Sequence, residues 1–417
     1  MSARREALFA LALWKVQGTF PAVALRHATE HAFALELTGA VLRHKASLEW
    51  MLKRCVERLP GGDLWAALML GAAQLFYLPG VADYAAIAET VEAAKPIGRR
   101  AAGFVNAVLR RMQREREALR AALAAQPAHL QRNVPLVLWR RWVAAFGEAQ
   151  TQALADALEV PPRVCLRPLP PFPPPPGCEP HPEAPGTFLV PHTVRVESLP
   201  GFSEGHFVVQ DAATRHAIEL LDVRPGQCAL DACAAPGGKT AQIAARLFSA
   251  PAGTSVGRLV ANEVSPARQA ALQETLARCG FAGRVEVMAC DAACLATALP
   301  GVRFDRILLD VPCSNSGVLG RRPDARWTWS PKKLAALCET QARLLAACAE
   351  LLAPGGLLVY STCSIEPEED SDQVAAFLAA HPAFTLGQSK LEMPTTLHDG
   401  AFAAQLWASA SPPCATP

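Results

Sequence analysis

From residue 220 onward, short apolar runs with strand character alternate with stretches of helical periodicity. This alternation constrains the fold more than any other feature of the chain. The predicted strands are residues 227–232, 258–262, 285–289, 306–309 and 356–361, and the predicted helices between them are 239–247, 266–279 and 333–352. We expect Gly355 and Gly356 to close the last helix. The pattern predicts a parallel sheet with helices on both faces.

The rest of the chain divides by composition. Residues 1–158 have helical periodicity throughout, with breaks at residues 60–62, 79–80 and 96. Residues 161–191 hold 13 of the 35 prolines, too many for a helix or a central strand, and predict a linker that leads into a small extended region ending near Val209. We therefore expect three domains, at residues 1–158, 159–208 and 209–417.

Charge and cysteine usage narrow the class of protein. The net charge is only +2, but residues 95–120 carry eight basic and two acidic side chains, an excess that can attract phosphates. A solvated helix face is the alternative interpretation. The 13 cysteines include no CxxC pair and no zinc spacing, which predicts no metal and reduced thiols in a cytoplasmic protein. No apolar stretch is long enough to predict a membrane span or a signal peptide.

The first chemistry-bearing segment is AspAlaCysAlaAlaProGlyGlyLysThr at 231–240, which follows a predicted strand and opens a predicted helix. Gly237 and Gly238 allow close approach of the backbone to a ligand, and a helix N-terminus favours an anionic group. A P-loop would need glycine at position 233, which is cysteine, and no GxGxxG is present. An ordinary glycine-rich turn remains the alternative.

Single carboxylates and two cysteines follow the later strands. Glu263, Asp291 and Asp310 come after successive strands, where ligands bind in doubly wound sheets, and together with the glycine-rich segment they favour an adenosyl ligand. Cys313 and Cys363 each lie just past a strand. If these two strands are neighbours, both thiols reach one cleft.

These stretches resemble the NOP2/Sun-type RNA cytosine-5 methyltransferases over residues 208–409. The matching segments are 209–212, 231–240, 310–314, 321–327 and 360–364. Residues 67–112 are similar to the NusB-type RNA-binding domain, and the combination resembles the bacterial Sun/RsmB subfamily, which modifies small-subunit ribosomal RNA. The resemblance implies an all-α NusB-like N-terminal domain, a small extended α+β linker region and a C-terminal α/β, Rossmann-like methyltransferase domain that uses S-adenosylmethionine.

The resemblance also implies roles for individual residues. Cys363 would be the nucleophile, Cys313 the cysteine that assists product release, and Asp310 would face the reaction centre. The cofactor would be bound by Cys233, Ala234, Ala235, Pro236, Gly237, Gly238, Lys239, Glu263, Asp291 and Asp310. Three positions depart from the family pattern: Glu263 stands where Asp is usual, Asp370 where Asn is usual, and Ala401 where an aromatic residue is usual.

RNA contacts are expected from two groups of basic residues, Arg99, Arg110 and Arg111 in the helical domain and Arg321, Arg322 and Arg326 beside the predicted site. Trp327, Trp329, Lys332 and Lys333 would add stacking planes and phosphate contacts, although core packing is the alternative for the tryptophans.

The implied reaction explains why two thiols are needed. Carbon 5 of cytosine is a poor nucleophile, and addition of a thiolate to carbon 6 creates an enamine that can accept a methyl group at carbon 5. The resemblance implies 16S ribosomal RNA as substrate, at cytosine 967 in the usual rRNA numbering, and a monomeric cytoplasmic enzyme.

Three alternatives remain open. Another RNA such as tRNA could be the substrate, or the chain could be a non-catalytic RNA-binding or antitermination factor built on the helical domain. A DNA cytosine-5 methyltransferase would place its nucleophile in a ProCysGln loop, whereas Cys313 is followed by Ser314.

Overall fold

The computed structural model describes residues 2–160, 163–191, 194–249 and 257–410, and the chain divides into two compact units. The first unit comprises residues 1–160 together with 322–330, and the second comprises 161–321 and 331–417. The division differs from the three expected domains in two respects. Most of the expected middle domain belongs to the second unit, and a short segment from within the expected methyltransferase domain belongs to the first.

The first unit is entirely helical in its described part, as predicted. Its helices are α1 (Ala3–Gln17), α2 (Pro21–Ala24), α3 (His31–Arg43), α4 (Lys45–Cys55), α5 (Gly62–Tyr77), α6 (Asp83–Ala94), α7 (Arg99–Arg114), α8 (Arg116–Ala124), α9 (Ala128–Gln131), α10 (Leu136–Phe146), α11 (Glu148–Ala157) and, from the later segment, α16 (Ala325–Thr328). The predicted breaks precede α5, separate it from α6, and fall in a 3-10 turn before α7.

Helix α5 is the centre of the first unit. Its residues from Trp65 to Phe76 are all buried, because α5 is surrounded by α1, α3, α6 and α7. A helix buried on every side has no polar face, which explains why this stretch is the most apolar in the chain. Gly71 allows α7 to approach closely, since a Cβ at this position would overlap the Leu109 side chain.

The second unit contains two sheets. The small one is antiparallel, with strands β1 (Cys165–Pro168), β2 (Glu179–Pro180), β3 (Phe188–Leu189) and β4 (Phe207–Val209) in the order β2-β3-β1-β4. This sheet is the extended region that the proline-rich sequence predicts.

The large sheet has seven strands in the order β10-β11-β9-β8-β5-β6-β7. They are β5 (Cys228–Asp231), β6 (Arg258–Asn262), β7 (Glu286–Met288), β8 (Phe304–Asp310), β9 (Leu352–Thr362), β10 (Phe384–Glu392) and β11 (Ala401–Ala408). Strands β5 to β9 pair in parallel, as expected, whereas β10 and β11 pair antiparallel. The sheet is therefore mixed. The sequence predicted a purely parallel sheet because its pattern did not reveal β10 and β11.

The helices of the second unit are α12 (Arg215–Leu221), α13 (Gly238–Leu247), α14 (Pro266–Arg278), α15 (Leu295–Ala298), α17 (Pro331–Ala349) and α18 (Ser371–Ala380). They cover two faces of the large sheet. Along β9, Leu357 and Val359 pack with α12, α13 and α14, while Leu358 and Tyr360 pack with α15, α17 and α18. This alternation follows from the period of two in a strand and produces two hydrophobic cores.

One predicted boundary is wrong. Gly355 and Gly356 do not close a helix, because α17 ends at Ala349 and β9 already begins at Leu352. Gly355 has φ 73°, and the β8–β9 register shifts at this end of the pair. The glycines therefore accommodate an irregularity of the strand. Across the described residues, no helix is both long and apolar enough to cross a membrane.

Candidate active site

Two cysteines lie in the loops that follow the neighbouring strands β8 and β9. The strands are parallel, with Asp310 opposite Ser361, so both loops leave the same edge of the sheet. Cys313 and Cys363 occupy these loops, and their Sγ atoms are 3.1 Å apart. Both are free thiols. The structure thus brings together the two cysteines that the sequence singles out.

Asn315, in the loop that carries Cys313, contacts the loop that carries Cys363. Its Nδ2 donates a hydrogen bond to the Cys313 carbonyl at 3.0 Å, and the Cys363 thiol donates to its Oδ1 at 3.4 Å. Its φ of 60° is in the left-handed region, which asparagine tolerates better than most residues. Nearby, the Gly317 N–H donates to the Cys363 carbonyl at 3.0 Å. A Cβ on Gly317 would overlap the Gly400 backbone, so glycine permits this close approach.

The two thiols have different environments. Cys313 is buried, whereas Cys363 is partly exposed. The hydrogen bond with Cys363 raises the pKa of Cys313 well above its ordinary value, and burial of the Cys313 thiol raises it further. Cys313 is therefore held as a neutral thiol at neutral pH, and the more accessible sulfur is that of Cys363.

Asp310, the last residue of β8, carries a carboxylate with two partners. Lys239 Nζ lies 2.5 Å from Oδ2, and Ser361 Oγ donates to Oδ1 at 2.5 Å. Burial alone would lower the pKa of Lys239, but the charge and hydrogen bond of Asp310 outweigh burial and raise it. The site therefore holds a fixed ammonium–carboxylate pair close to the thiols.

A cleft opens at the carboxyl ends of β5 and β8. Its lining combines the residues before α12, the glycine-rich segment and Asp310: Val209, Gln210, Asp211, Thr214, Asp231, Cys233, Ala234, Ala235, Pro236, Gly238, Lys239 and Asp310. Apolar and backbone surface dominates this lining, with a few charged groups, which is typical of a site for an organic ligand.

Known proteins resemble this chain along most of its length. A family described as 16S rRNA methyltransferase RsmB/F matches residues 218–410, and the NusB family matches residues 1–114. The ribosomal RNA small subunit methyltransferase B of Klebsiella pneumoniae subsp. pneumoniae is 37% identical over 376 residues, which are 85% of this chain and 82% of that protein. The chain belongs to the 16S rRNA methyltransferase RsmB/F family.

A further relative and two solved structures are also similar to this chain. The Cronobacter sakazakii protein of the same name is 34% identical, and the match covers 90% of each chain. The crystal structure of PH0851 shares the fold, with a TM-score of 0.79 at 21% identity over 97% of this chain and 98% of that chain. A methyltransferase homolog protein from Pyrococcus horikoshii has a TM-score of 0.55 at 25% identity. The chain is thus an S-adenosylmethionine-dependent RNA methyltransferase.

The residues of the methyltransferase cleft fit S-adenosylmethionine. Asp231 is fully buried, and its Oδ1 accepts no hydrogen bond from the described residues, which leaves an acceptor for the cationic amino group of the ligand. Helix α13 begins at Gly238, so its first N–H groups have no partner within the helix and can bind a carboxylate. Gly237 has φ 104°, a conformation that side-chain-bearing residues rarely adopt. The glycine-rich segment would therefore hold the amino-acid end of the cofactor.

Glu263 and Asp291 follow β6 and β7, as expected, but neither belongs to the lining of the cleft. Glu263 is buried, and its Oε1 accepts a hydrogen bond from the Ser265 N–H at 2.9 Å. Asp291 accepts from the Ala293 N–H and pairs with Arg343 at 2.9 Å; these two interactions, in that order, lower its pKa. Contacts of both acids with the adenosine moiety remain predictions.

Two residues expected to contact RNA instead bind backbone carbonyls within the helical unit. Arg326 is 1% exposed, and its guanidinium donates to the backbone carbonyls of Asn133 and Leu158 at 3.2 and 3.3 Å. Trp327 packs against the helical core and donates from Nε1 to the Leu42 carbonyl at 2.7 Å. The expected phosphate contact of Arg326 is therefore wrong, because this side chain is buried inside the helical unit.

The remaining predicted RNA-binding arginines differ in their pairing. Arg321 is bound by two carboxylates, Asp211 at 2.8 Å and Asp399 at 2.6 Å, so its charge is already balanced. Arg322 pairs with the neighbouring Asp324 and lies over the Phe20 ring. By contrast, Arg99, Arg110 and Arg111 are exposed on one helix, α7, although Arg111 pairs with Glu115. An RNA contact at α7 remains a prediction.

Lys239, which the sequence places in the cofactor segment, lines the cleft, and its ammonium also pairs with Asp310. Two other residues of the site are not singled out by the sequence. Ser361, which contacts Asp310, lies in the 360–364 segment, and Asn315, which contacts Cys363, directly follows the 310–314 segment. Only their position beside the cysteines could have suggested them. The described residues contain no group of three or more His, Cys, Asp or Glu side chains arranged to bind a metal.

Proposed function

We propose that this methyltransferase modifies carbon 5 of a cytosine in small-subunit ribosomal RNA, cytosine 967 in the usual rRNA numbering. The names of its relatives support the choice of RNA. The reaction rests on one observation above all, the 3.1 Å separation of the Cys313 and Cys363 sulfurs beside Asp310. Methylation of a nucleophilic nitrogen or oxygen would need no enzyme thiol, whereas methylation of an unactivated ring carbon needs a nucleophile that adds and a group that helps it leave.

Cys363 is the nucleophile in this proposal. Its thiolate adds to carbon 6 and forms an S–C bond, while the displaced ring electrons give carbon 5 enamine character. Cys363 is the more accessible of the two cysteines, whereas Cys313 has a raised pKa and stays protonated. The target base must leave its stack to reach the thiol, at a cost of a few kcal/mol.

Asp310 and Lys239 bind and stabilise the reacting base. Addition at carbon 6 changes the charge on the ring edge, and a fixed pair of polar groups can stabilise this change without reorganising. Asp310 is oriented by Ser361 and by Lys239, so its position does not depend on substrate. When bound in the cleft, S-adenosylmethionine supplies the methyl group that carbon 5 receives.

Cys313 serves the second half of the reaction. The proton on carbon 5 must pass to a base, which in this proposal is the deprotonated Cys313, and the electron pair of the broken C–H bond re-forms the ring double bond as the bond between Cys363 and carbon 6 breaks. Cys313 lies within contact distance of the Cys363 sulfur and is thus positioned to assist this elimination. The elimination returns Cys363 to the thiolate state for the next cycle.

Separate alanine variants of the two cysteines test these roles on unmodified small-subunit rRNA with S-adenosylmethionine. Cys363→Ala should neither methylate nor form a covalent RNA adduct. Cys313→Ala should add and transfer the methyl group and then stall, giving a slower, covalently joined band on a denaturing gel. The double variant should lose that band, because the trap requires the attacking thiol. The matched control is Cys294→Ala, which removes an exposed thiol.

The opposite result would contradict the assignment. An adduct in Cys363→Ala and none in Cys313→Ala would exchange the two roles. Retained methylation in both single variants without any adduct would exclude a two-thiol mechanism. Binding of rRNA by a protein that never methylates it would instead support the non-catalytic RNA-binding alternative.

The proposal extends to where and how the enzyme acts. We infer that it works as a monomer in the cytoplasm, where ribosomal RNA is made and thiols stay reduced. We also infer that the exposed arginines of α7 contribute to RNA binding, since the helical unit matches the NusB family.

A further inference from the structure

Beyond the two cysteines and Asp310, the second unit contains a buried carboxylate with an unusual set of partners. Glu369, at the end of the 3-10 turn Pro367–Glu369, has 0% of its surface exposed. Its Oε1 accepts from the Ser314 N–H at 2.8 Å and from Gln341 Nε2 at 2.9 Å. Its Oε2 accepts from the hydroxyls of Ser314 and Ser364, each at 2.5 Å.

The position of these donors in the chain is the important point. Ser314 immediately follows Cys313, and Ser364 immediately follows Cys363. One carboxylate therefore links the two loops that carry the thiols, although the loops are about 50 residues apart. The two loops also contact each other directly, through the Gly317 N–H and the Cys363 carbonyl and through the Ser316 and Ser364 hydroxyls, and Glu369 adds a buried carboxylate to these links.

Gln341 adds a second link from helix α17. Its Nε2 donates both to Glu369 and to the Pro312 carbonyl at 3.0 Å. Cys313 is consequently held on both sides, at Pro312 by Gln341 and at Ser314 by Glu369. Such an arrangement fixes the backbone around the thiol more firmly than a single hydrogen bond would.

We propose that Glu369 is a positioning residue for the reaction, which holds the Cys313 and Cys363 loops in the geometry that brings their sulfurs together. This inference rests on the proposed roles of the two cysteines. Glu369 does not touch the cytosine or the cofactor in this role and acts only through the two serines and Gln341. Reactions that depend on two groups at contact distance are sensitive to displacement, and a shift of about 1 Å can lower a rate by about 100-fold.

Disulfide trapping measures this geometry without requiring catalysis. Diamide oxidises two adjacent thiols to a disulfide, and its N=N bond takes up both protons and both electrons. Mass spectrometry of the joined Cys313 and Cys363 peptides gives the rate. We expect Glu369→Ala to lower both the trapping rate and kcat by about 10- to 100-fold, while the KM for rRNA and the Kd for S-adenosylmethionine change little.

Two further variants make the test specific. Glu369→Gln keeps one oxygen for the Ser314 N–H and Gln341, and the serine hydroxyls can rotate to accept from its amide, so it should restore part of both rates. Glu368→Gln makes the same chemical change at the adjacent, partly exposed carboxylate and should trap at the wild-type rate. If Glu369→Ala does not fold, Ser364→Ala removes the hydroxyl that joins Glu369 to the Cys363 loop, together with its contacts to the Ser314 and Ser316 hydroxyls, and should still slow trapping.

The outcomes separate this inference from the proposed function. Wild-type trapping in Glu369→Ala and Ser364→Ala would overturn the positioning role, whatever the methylation rate. The positioning role would also be overturned if every variant that traps more slowly also has a lower melting temperature and binds S-adenosylmethionine more weakly. That result would indicate a purely structural role for Glu369. Cys313→Ala could form no adduct even though the disulfide-trapping rate still falls from the wild type to Glu369→Gln and further to Glu369→Ala. In that case the cysteine assignment fails, but the positioning role of Glu369 stands.

Discussion

Replacing Asp370 by asparagine is expected to stabilise the second unit at neutral pH. Asp370 is 2% exposed; its Oδ1 accepts from Thr362 Oγ1 at 2.6 Å, and its Oδ2 is buried without a hydrogen-bond partner among the described residues. Burial raises the pKa of Asp370 from 3.8 to about 9, and the nearby carboxylates of Glu369 and Glu366 reinforce the shift against the opposing Thr362 hydrogen bond. The carboxyl is therefore protonated at pH 7.

The magnitude follows from proton linkage. Between pH 3.8 and about 9 the folded state binds a proton that the unfolded state has lost, so this group makes the protein less stable as the pH rises through that window. Each pH unit above 3.8 lowers the free energy of unfolding by about 1.4 kcal/mol, so the loss at pH 7 is at most about 4 kcal/mol. Asparagine keeps the acceptor for Thr362 and never ionises. Asp370→Asn should thus raise the free energy of unfolding by about 1–4 kcal/mol at pH 7 and by almost nothing near pH 4.

Urea denaturation of the wild type and Asp370→Asn at several pH values, with hydrogen exchange of the β9 amides as a local probe, measures this difference. Asp372→Asn is the matched control, because it alters an exposed carboxylate two residues away and should stay within about 0.5 kcal/mol of the wild type. Equal stability of the wild type and Asp370→Asn at every pH would refute the reasoning, as would a gain that does not grow between pH 4 and pH 8.

Three other predictions concern the cofactor, the helical core and RNA. Glu263→Ala should weaken S-adenosylmethionine binding by about 1–3 kcal/mol if charged hydrogen bonds to ribose are lost, and unchanged affinity by calorimetry would exclude Glu263 from the site. Arg326→Met should destabilise the helical unit by about 2–4 kcal/mol in thermal denaturation, because backbone carbonyls lose their buried partner; a wild-type melting temperature would contradict its structural role. Joint replacement of Arg99, Arg110 and Arg111 by alanine should lower the salt slope of rRNA binding by about 0.7–0.9 for each phosphate that is no longer neutralised, and an unchanged slope would mean that this face is only solvated.

Local sequence patterns predicted the parts of the fold that have strong periodicity. Strand β6 has its predicted bounds, and β5, β7 and β8 differ from the predicted strands by one or two residues at each end. Strand β10 was missed because it lies at the edge of the sheet and most of its residues are exposed, so it lacks the apolar alternation of a half-buried strand. Strand β11 pairs with both β10 and β9, and its alanine-rich, mostly buried sequence also lacks that alternation.

The site shows the same division between what neighbouring residues encode and what only folding brings together. The motifs around Cys313 and Cys363 identified the thiols, but Glu369 could not be recognised, because its partners Ser314 and Gln341 are distant in the sequence. Arg326 was misassigned for a related reason. Its partners are backbone carbonyls, which carry no residue-type signal, so its charge alone suggested a phosphate.

The environment of the thiols also supports an order for the two halves of the proposed reaction. The largest contribution to the raised pKa of Cys313 is its hydrogen bond with Cys363, and the charge of Cys363 adds to the effect of burial. Once Cys363 is bonded to carbon 6 of cytosine, its sulfur carries no ionisable proton or negative charge, so both of these contributions weaken. We therefore expect the pKa of Cys313 to be lower in the adduct than in the free enzyme, while burial of the thiol still raises it. In this proposal Cys313 stays protonated and does not compete for the base at the start, and its deprotonation becomes easier when the product has to be released.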